Sequence, residues 1–346
     1  MPSIDKDLGE KLIFQRLLWH KKRFGLIDIP VITYRKEKGE LKKDEVTDVD
    51  VLAINYDETL TKSLEVVDCK SSTVSHNRLL WLKGLQAYLK ASHAHFVSRK
   101  ITARFPEVSR RLGVSIWRMG DIEELLLEQG SPKFDFLFTE MAYSEFKSEL
   151  KSIKGKKPKI YTKFITTDYW SLEPRNRMQS LIYNFSHIVK DIGESKSHRI
   201  LVFDSLVKLS LAVLDVSSFV VKNGRKDLHK LCEIYLYGSP EEIRQKREIM
   251  SLKGGGESDF YPDYYKNLLD LVGTFVRRSD CSCEVSRLLY EVLFETHFFQ
   301  EEVSSDKIKS KYNDLNLSLK LSKDLILFFC LATGFSKDYF RDFLEL

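Results

Sequence analysis

Two apolar, β-branched runs of this sequence carry more charge than strand packing requires. Asp48 and Asp50 lie in TDVDVLAINY, and Asp68 and Lys70 in TKSLEVVDCKSS. Alternation along a strand puts residues two apart on one side, so Asp68 and Lys70 project together, as do Asp48 and Asp50. Two carboxylates about 4 Å apart repel by roughly 4 kcal/mol at an effective dielectric of about 20. A site that joins Asp50 to Asp68 therefore calls for a cation, and oxygen ligands with open water positions suit Mg²⁺ or Mn²⁺. Beside such an ion, Lys70 can orient or deprotonate a water molecule or stabilise a pentavalent phosphate.

The elements that must position these groups follow from periodicity. Residues 5–24 predict a helix, with Leu8, Leu12, Ile13, Leu17 and Leu18 at helical spacing and Gly25 as its stop. IPVITYR predicts a strand and KEKGELKKDE a polar turn. The two charged runs, joined by DETL, then predict an antiparallel hairpin. NRLLWLKGLQAYLKAS, TARFPEVSRRLG and DIEELLLEQ predict helices, with strands HAHFVSRK and VSIWRM between them. The expected fold is α/β, a mixed central sheet flanked by helices over residues 1–150. The lysine-rich KSIKGKKPK marks an exposed basic linker, 151–170, and an all-α domain is expected over 171–346. In that half Ser239-Pro240-Glu241-Glu242 is a capping box, and Gly254, Gly255 and Gly256 are read as a flexible linker.

Composition narrows the class. The chain has 346 residues, 43% apolar and 30% charged, an ordinary globular balance for about two domains. The most apolar stretch, from Ile200, contains Asp204, Lys208 and Asp215 and reads as a buried amphipathic helix, so no membrane partner is expected. The first residues lack a secretory pattern, and five scattered cysteines suit reduced thiols, so a cytoplasmic location is expected. The net charge is only +5, yet Lys70 to Arg118 holds ten basic residues against Glu107 alone. Such an excess favours a polyanion, because neutralised phosphates release counterions. Arg78, Lys83, Arg99, Lys100, Arg104, Arg110 and Arg111 are the candidate phosphate contacts. Glu10 borders the apolar stripe of the first helix and either reaches solvent or points into the charged cluster. His93 and His95 share a strand face without an evident third ligand, and Trp81 and Tyr88 read as core.

Taken in order, Glu10 on the first helix, Asp50 in TDVDVLA and Asp68-Cys69-Lys70 in LEVVDCKSS resemble the PD-(D/E)xK, or restriction-endonuclease-like, nuclease superfamily, closest to its Mrr-like and RecB-like branches. The resemblance covers residues 1–130. The bare (D/E)xK pattern also occurs at Glu40, Glu145, Glu149 and Glu194; only Asp68-Cys69-Lys70 ends an apolar strand with an aspartate-bearing strand before it. No proline precedes Asp50, and Gln86 is followed four positions later by Lys90 instead of tyrosine, which leaves Gln86 as an accessory candidate at most. Asp48 competes with Asp50, which is preferred because it directly precedes the apolar VLA.

The resemblance implies a restriction-endonuclease-like fold and Mg²⁺- or Mn²⁺-dependent hydrolysis of DNA phosphodiesters, with RNA left open. Asp50, Asp68 and the Cys69 backbone carbonyl would hold the metal, Lys70 would act at the water, and Glu10 would assist. A role against foreign DNA, a homodimer for double-strand cutting, and a protein partner through the helical half are further expectations. The alternative is an inactive nucleic-acid-binding or scaffold protein on the same fold.

Overall fold

The computed structural model describes residues 6–37, 40–72, 76–102, 104–128, 139–254, 256, 260–298 and 314–345. The chain divides into two compact units. Met1–Asn55, Lys62–Lys151 and Thr166–Ser171 form the first; Tyr56–Thr61, Ser152–Ile165 and Leu172–Leu346 form the second.

The first unit runs α1 (Leu8–His20), β1 (Phe24–Glu37), β2 (Glu40–Tyr56), β3 (Lys62–Lys70), α2 (Asn77–Tyr88), β4 (His93–Ser98), α3 (Phe105–Leu112), β5 (Ser115–Arg118), α4 (Met119–Glu128) and α5 (Glu140–Ser152). Its five strands lie in the order β1-β2-β3-β4-β5. β1 and β2 are antiparallel, whereas β3–β4 and β4–β5 are parallel. Parallel neighbours need a crossover, and α2 and α3 supply the two. Leu8, Leu12, Phe14, Leu17 and Leu18 of α1 share a core with Val51, Ala53, Val67, Cys69 and Val97, closed by Ile122 and Leu126 of α4. With Val67 and Cys69 committed to that core, alternation turns Asp68 and Lys70 the other way. α3 ends at Gly113 in the left-handed conformation, φ 65°, which a glycine adopts without Cβ strain.

Two expectations about this unit are corrected. Of the polar stretch 36–45, read as a turn, 36–37 and 40–45 extend the β1–β2 ladder, with pairs from Ile32↔Glu45 to Glu37↔Glu40 beyond a bulge at Val31/Ile32, and 38–39 lie outside the described residues. Backbone hydrogen bonds sustain the ladder where side-chain alternation gives no cue. Tyr34 meets the Ser171 hydroxyl at 3.0 Å, and Lys43 forms an ion pair with Asp168. Gly25 is not the helix stop either: α1 ends at His20, and Gly25 lies inside β1 opposite Ala53.

The second unit is helical. The stretch 151–170, read as an exposed linker and divided between the two units, contains the helix Lys156–Lys163 and a π-helical turn, Phe164–Asp168. Pro158 lies in the first turn of that helix, where its missing N–H breaks no helical bond. The helix Lys196–Lys222 is buried on nearly every side and so is not amphipathic. Its charges are met internally: Lys208 pairs with Asp204 one turn away, and Asp215 accepts the Tyr56 hydroxyl at 2.7 Å. The capping box forms as expected, Ser239 Oγ accepting from the Glu242 amide at 3.3 Å and Glu242 Oε2 from the Ser239 amide at 2.7 Å. Gly255 lies outside the described residues. Among those described, no helix is long and apolar enough to cross a membrane. The five cysteines are free thiols.

Candidate active site

The ends of β2 and β3 bring together the charges that stand out in the sequence. Asp50 Oδ2 accepts the Cys69 amide at 2.8 Å and the Lys70 ammonium at 3.1 Å. Lys70 Nζ also lies 3.4 Å from Asp68 Oδ1. The two acids are buried, Asp50 at 7% exposure and Asp68 at 2%, while Lys70 is only partly so.

Electrostatics separate the two acids. Burial pushes both carboxyls up. For Asp50, the Lys11 and Lys70 ammoniums and the Cys69 amide outweigh burial and hold it below its ordinary value. For Asp68, burial and the Asp50 charge prevail over Arg78 and Lys70, and its pKa is raised. Ionisation is thus easier at Asp50 than at Asp68. Burial works to lower the Lys70 pKa, but Asp68 and Asp50 overcome it and keep the group an ammonium. As placed here, Lys70 is a cation rather than a base.

A second layer holds these groups; of its members the sequence-based site included Arg78 alone, as a phosphate contact. Arg78 of α2 grips both oxygens of Asp68, Nε and Nη2 each at 2.8 Å, and stacks on Trp81 at 3.7 Å. Asp7, at the N-cap position of α1, makes no cap bond to its own helix. Its carboxylate accepts the Ser71 amide and hydroxyl at 2.8 and 2.7 Å and Lys70 Nζ at 3.1 Å. Lys11 Nζ lies 2.7 Å from Asp28 Oδ1 and 3.1 Å from Asp50 Oδ1. Asp28 Oδ2 accepts the Tyr143 hydroxyl at 2.9 Å and Lys147 at 2.5 Å, both from α5. Asp28 is left-handed, φ 55°, between the pairs Ile27↔Val51 and Ile29↔Val49. Only an aspartate interrupting the apolar run GLIDIPVI hinted at it.

Glu10 does not reach solvent. It is 2% exposed and its Oε1 takes Arg99 Nε at 2.5 Å. Arg99 directly follows β4, whose last pair is Lys70↔Ser98. Asp48 is exposed, and its carboxylate closes with those of Asp28 and Asp50 to within 4.8 Å, the cluster among the described residues that suits a cation. Gln86 is corrected: its amide donates to the Ala91 and Ser92 carbonyls at 3.2 Å, closing the end of α2 instead of facing the site. Lys83 bonds Gln86 at 2.9 Å. Lys100, Arg104, Arg110 and Arg111 are exposed, Arg111 pairing with Glu107 at 2.7 Å; Arg78 is not a surface cation, since its charge is held by Asp68. Tyr88, read as core, is 58% exposed, and Trp81 lies under Arg78.

His95 is committed elsewhere. Trp117 Nε1–H donates to its Nδ1 at 3.1 Å, which leaves Nε2–H to donate to Glu65 at 3.0 Å. Glu65, buried, also takes Arg23 at 2.6 Å. Burial pushes the Glu65 carboxyl up, but His95 and Arg23 bring it below the usual glutamate value. Its contribution to stability is then full above the ordinary glutamate range and is lost as pH falls through the lowered value. Glu65→Gln should cost about 1–2 kcal/mol at neutral pH and flatten the acid limb of the stability curve, read by urea denaturation at a series of pH values.

Asp50, Asp68 and the Cys69 carbonyl are oxygen donors of the kind a hard divalent ion takes, and the Asp50 charge beside Asp68 works against ionisation of the second acid. The donor set fits Mg²⁺ or Mn²⁺. Comparison of the chain with family models, with curated proteins and with solved structures finds no match to any.

Proposed function

We propose that the first unit is a PD-(D/E)xK-type nuclease that hydrolyses DNA phosphodiesters with Mg²⁺ or Mn²⁺, in the service of degrading foreign DNA. The observation that carries this reading is the meeting of Asp50 and Asp68, from adjacent strands, at the Lys70 ammonium. A bound divalent ion supplies Lewis acidity and an acidified water at that place. Asp50 and Asp68 would hold it, with the Cys69 carbonyl. Lys70 holds a positive charge where the phosphorane's charge develops and orients the attacking water. Glu10 acts through Arg99, a half-exposed cation at the end of β4, as a positioning residue. Exposed Lys100, Arg104, Arg110 and Arg111 offer the phosphate backbone its contacts.

One observation favours the second reading, an inactive nucleic-acid-binding protein on the same fold: Arg78 already neutralises both oxygens of Asp68. Incubating the protein with single- and double-stranded DNA and RNA, in Mg²⁺, Mn²⁺ or EDTA, separates the two. Cleavage that EDTA abolishes supports the nuclease. Salt-sensitive, metal-independent binding with no cleavage supports the alternative.

A further inference from the structure

We infer that Lys11 is a resident cation standing where a two-metal nuclease would hold its second ion, so that this site takes a single divalent ion. The inference rests on the metal-dependent reading above. Asp50 faces two ways: its Oδ2 meets Lys70 and the Cys69 amide beside Asp68, and its Oδ1 meets Lys11 beside Asp28. One oxygen for each of two neighbouring cations is how a carboxylate bridges a two-metal centre, whose ions stand about 3.5–4 Å apart. On the far side, the Asp28, Asp48 and Asp50 oxygens close to within 4.8 Å, a cage a second ion would want. The Lys11 ammonium lies against two of those three acids.

The two lysines differ in how they are held. Lys70 is 20% exposed and has Asp7 at 3.1 Å as a partner outside the Asp50–Asp68 pair, so it can rest on Asp7 while an ion enters. Lys11 is 5% exposed, on the helix whose Leu8 and Leu12 belong to the core. Its partner Asp28 is pinned by Tyr143 and Lys147 on a left-handed backbone. An ammonium anchored this way is not displaced by a millimolar metal, because leaving would strand it in the core. The α1 helix thus brings a fixed charge where other sites recruit a mobile one.

The test is Mn²⁺ alone, titrated into the full chain by calorimetry and followed by electron paramagnetic resonance. The wild type should bind about one ion per chain, and Lys11→Met about two, with the spin–spin coupling of a close Mn²⁺ pair. Lys11→Gln serves as a second variant, and circular dichroism checks that each is folded. Two coupled ions in the wild type overturn the inference and leave the metal-dependent reading standing. A single ion in both folded variants also overturns it. No ion in the wild type removes the metal-dependent reading and the inference together. If neither variant folds, two coupled ions in the wild type still overturn the inference.

Discussion

Lys70→Ala is expected to lower DNA cleavage by about 10²–10³-fold, the loss typical of removing one preorganised charge from a developing oxyanion. Lys70 touches Asp50, Asp68 and Asp7 at 3.1, 3.4 and 3.1 Å, so its removal takes a cation from three acids at once. Lys11 and Arg78 remain on Asp50 and Asp68, which keeps the strands in place. A divalent ion then meets less competition, so metal affinity should hold or improve while turnover falls. DNA affinity should be retained, because the exposed basic residues that follow β4 are untouched. That combination, tight metal and intact binding with little cleavage, is what a chemical role for Lys70 requires. Undiminished cleavage would remove Lys70 from the mechanism, and lost DNA binding would make it a contact residue.

Much of the first unit is legible in the chain because its signals are local. The helix, three strands, helix, strand, helix, strand, helix order follows from apolar periods and from glycine at the end of α3. Asp50, Asp68 and Lys70 stood out as charges inside apolar strands, and the same signal at Asp28 was equally visible. What pairs with them was not. Asp7 reaches Ser71, Lys11 reaches Asp28, and Tyr143 and Lys147 come back from α5; no local pattern encodes contacts over such separations. Arg78 looked like one surface cation among many because its partner, Asp68, is a strand residue of the opposite charge that helix periodicity does not register. The misread segments, 36–45 and 151–159, are both rich in lysine. Charge there outweighed backbone pairing in one case and a proline tolerated in a first turn in the other.

Asp68→Asn should separate stability from function. The Asp68 carboxyl has a raised pKa because burial and the neighbouring Asp50 charge oppose its ionisation. For an acid the sign is plain: a folded pKa above the unfolded one means full stability at low pH and a penalty that grows as pH rises through the folded value. A neutral asparagine escapes that penalty, still offers Arg78 an acceptor, and leaves the guanidinium on Trp81. In EDTA at neutral pH the variant should therefore melt no lower than the wild type. With Mg²⁺ at about 100 times its Kd the wild type should gain about 2.7 kcal/mol, and the variant, short of a ligand, should gain little. The curves would cross on adding metal. A variant that unfolds readily in EDTA, beside a wild type indifferent to Mg²⁺, would instead make Asp68 the anionic half of a structural ion pair with Arg78, and the inactive binding protein would become the better account of this fold.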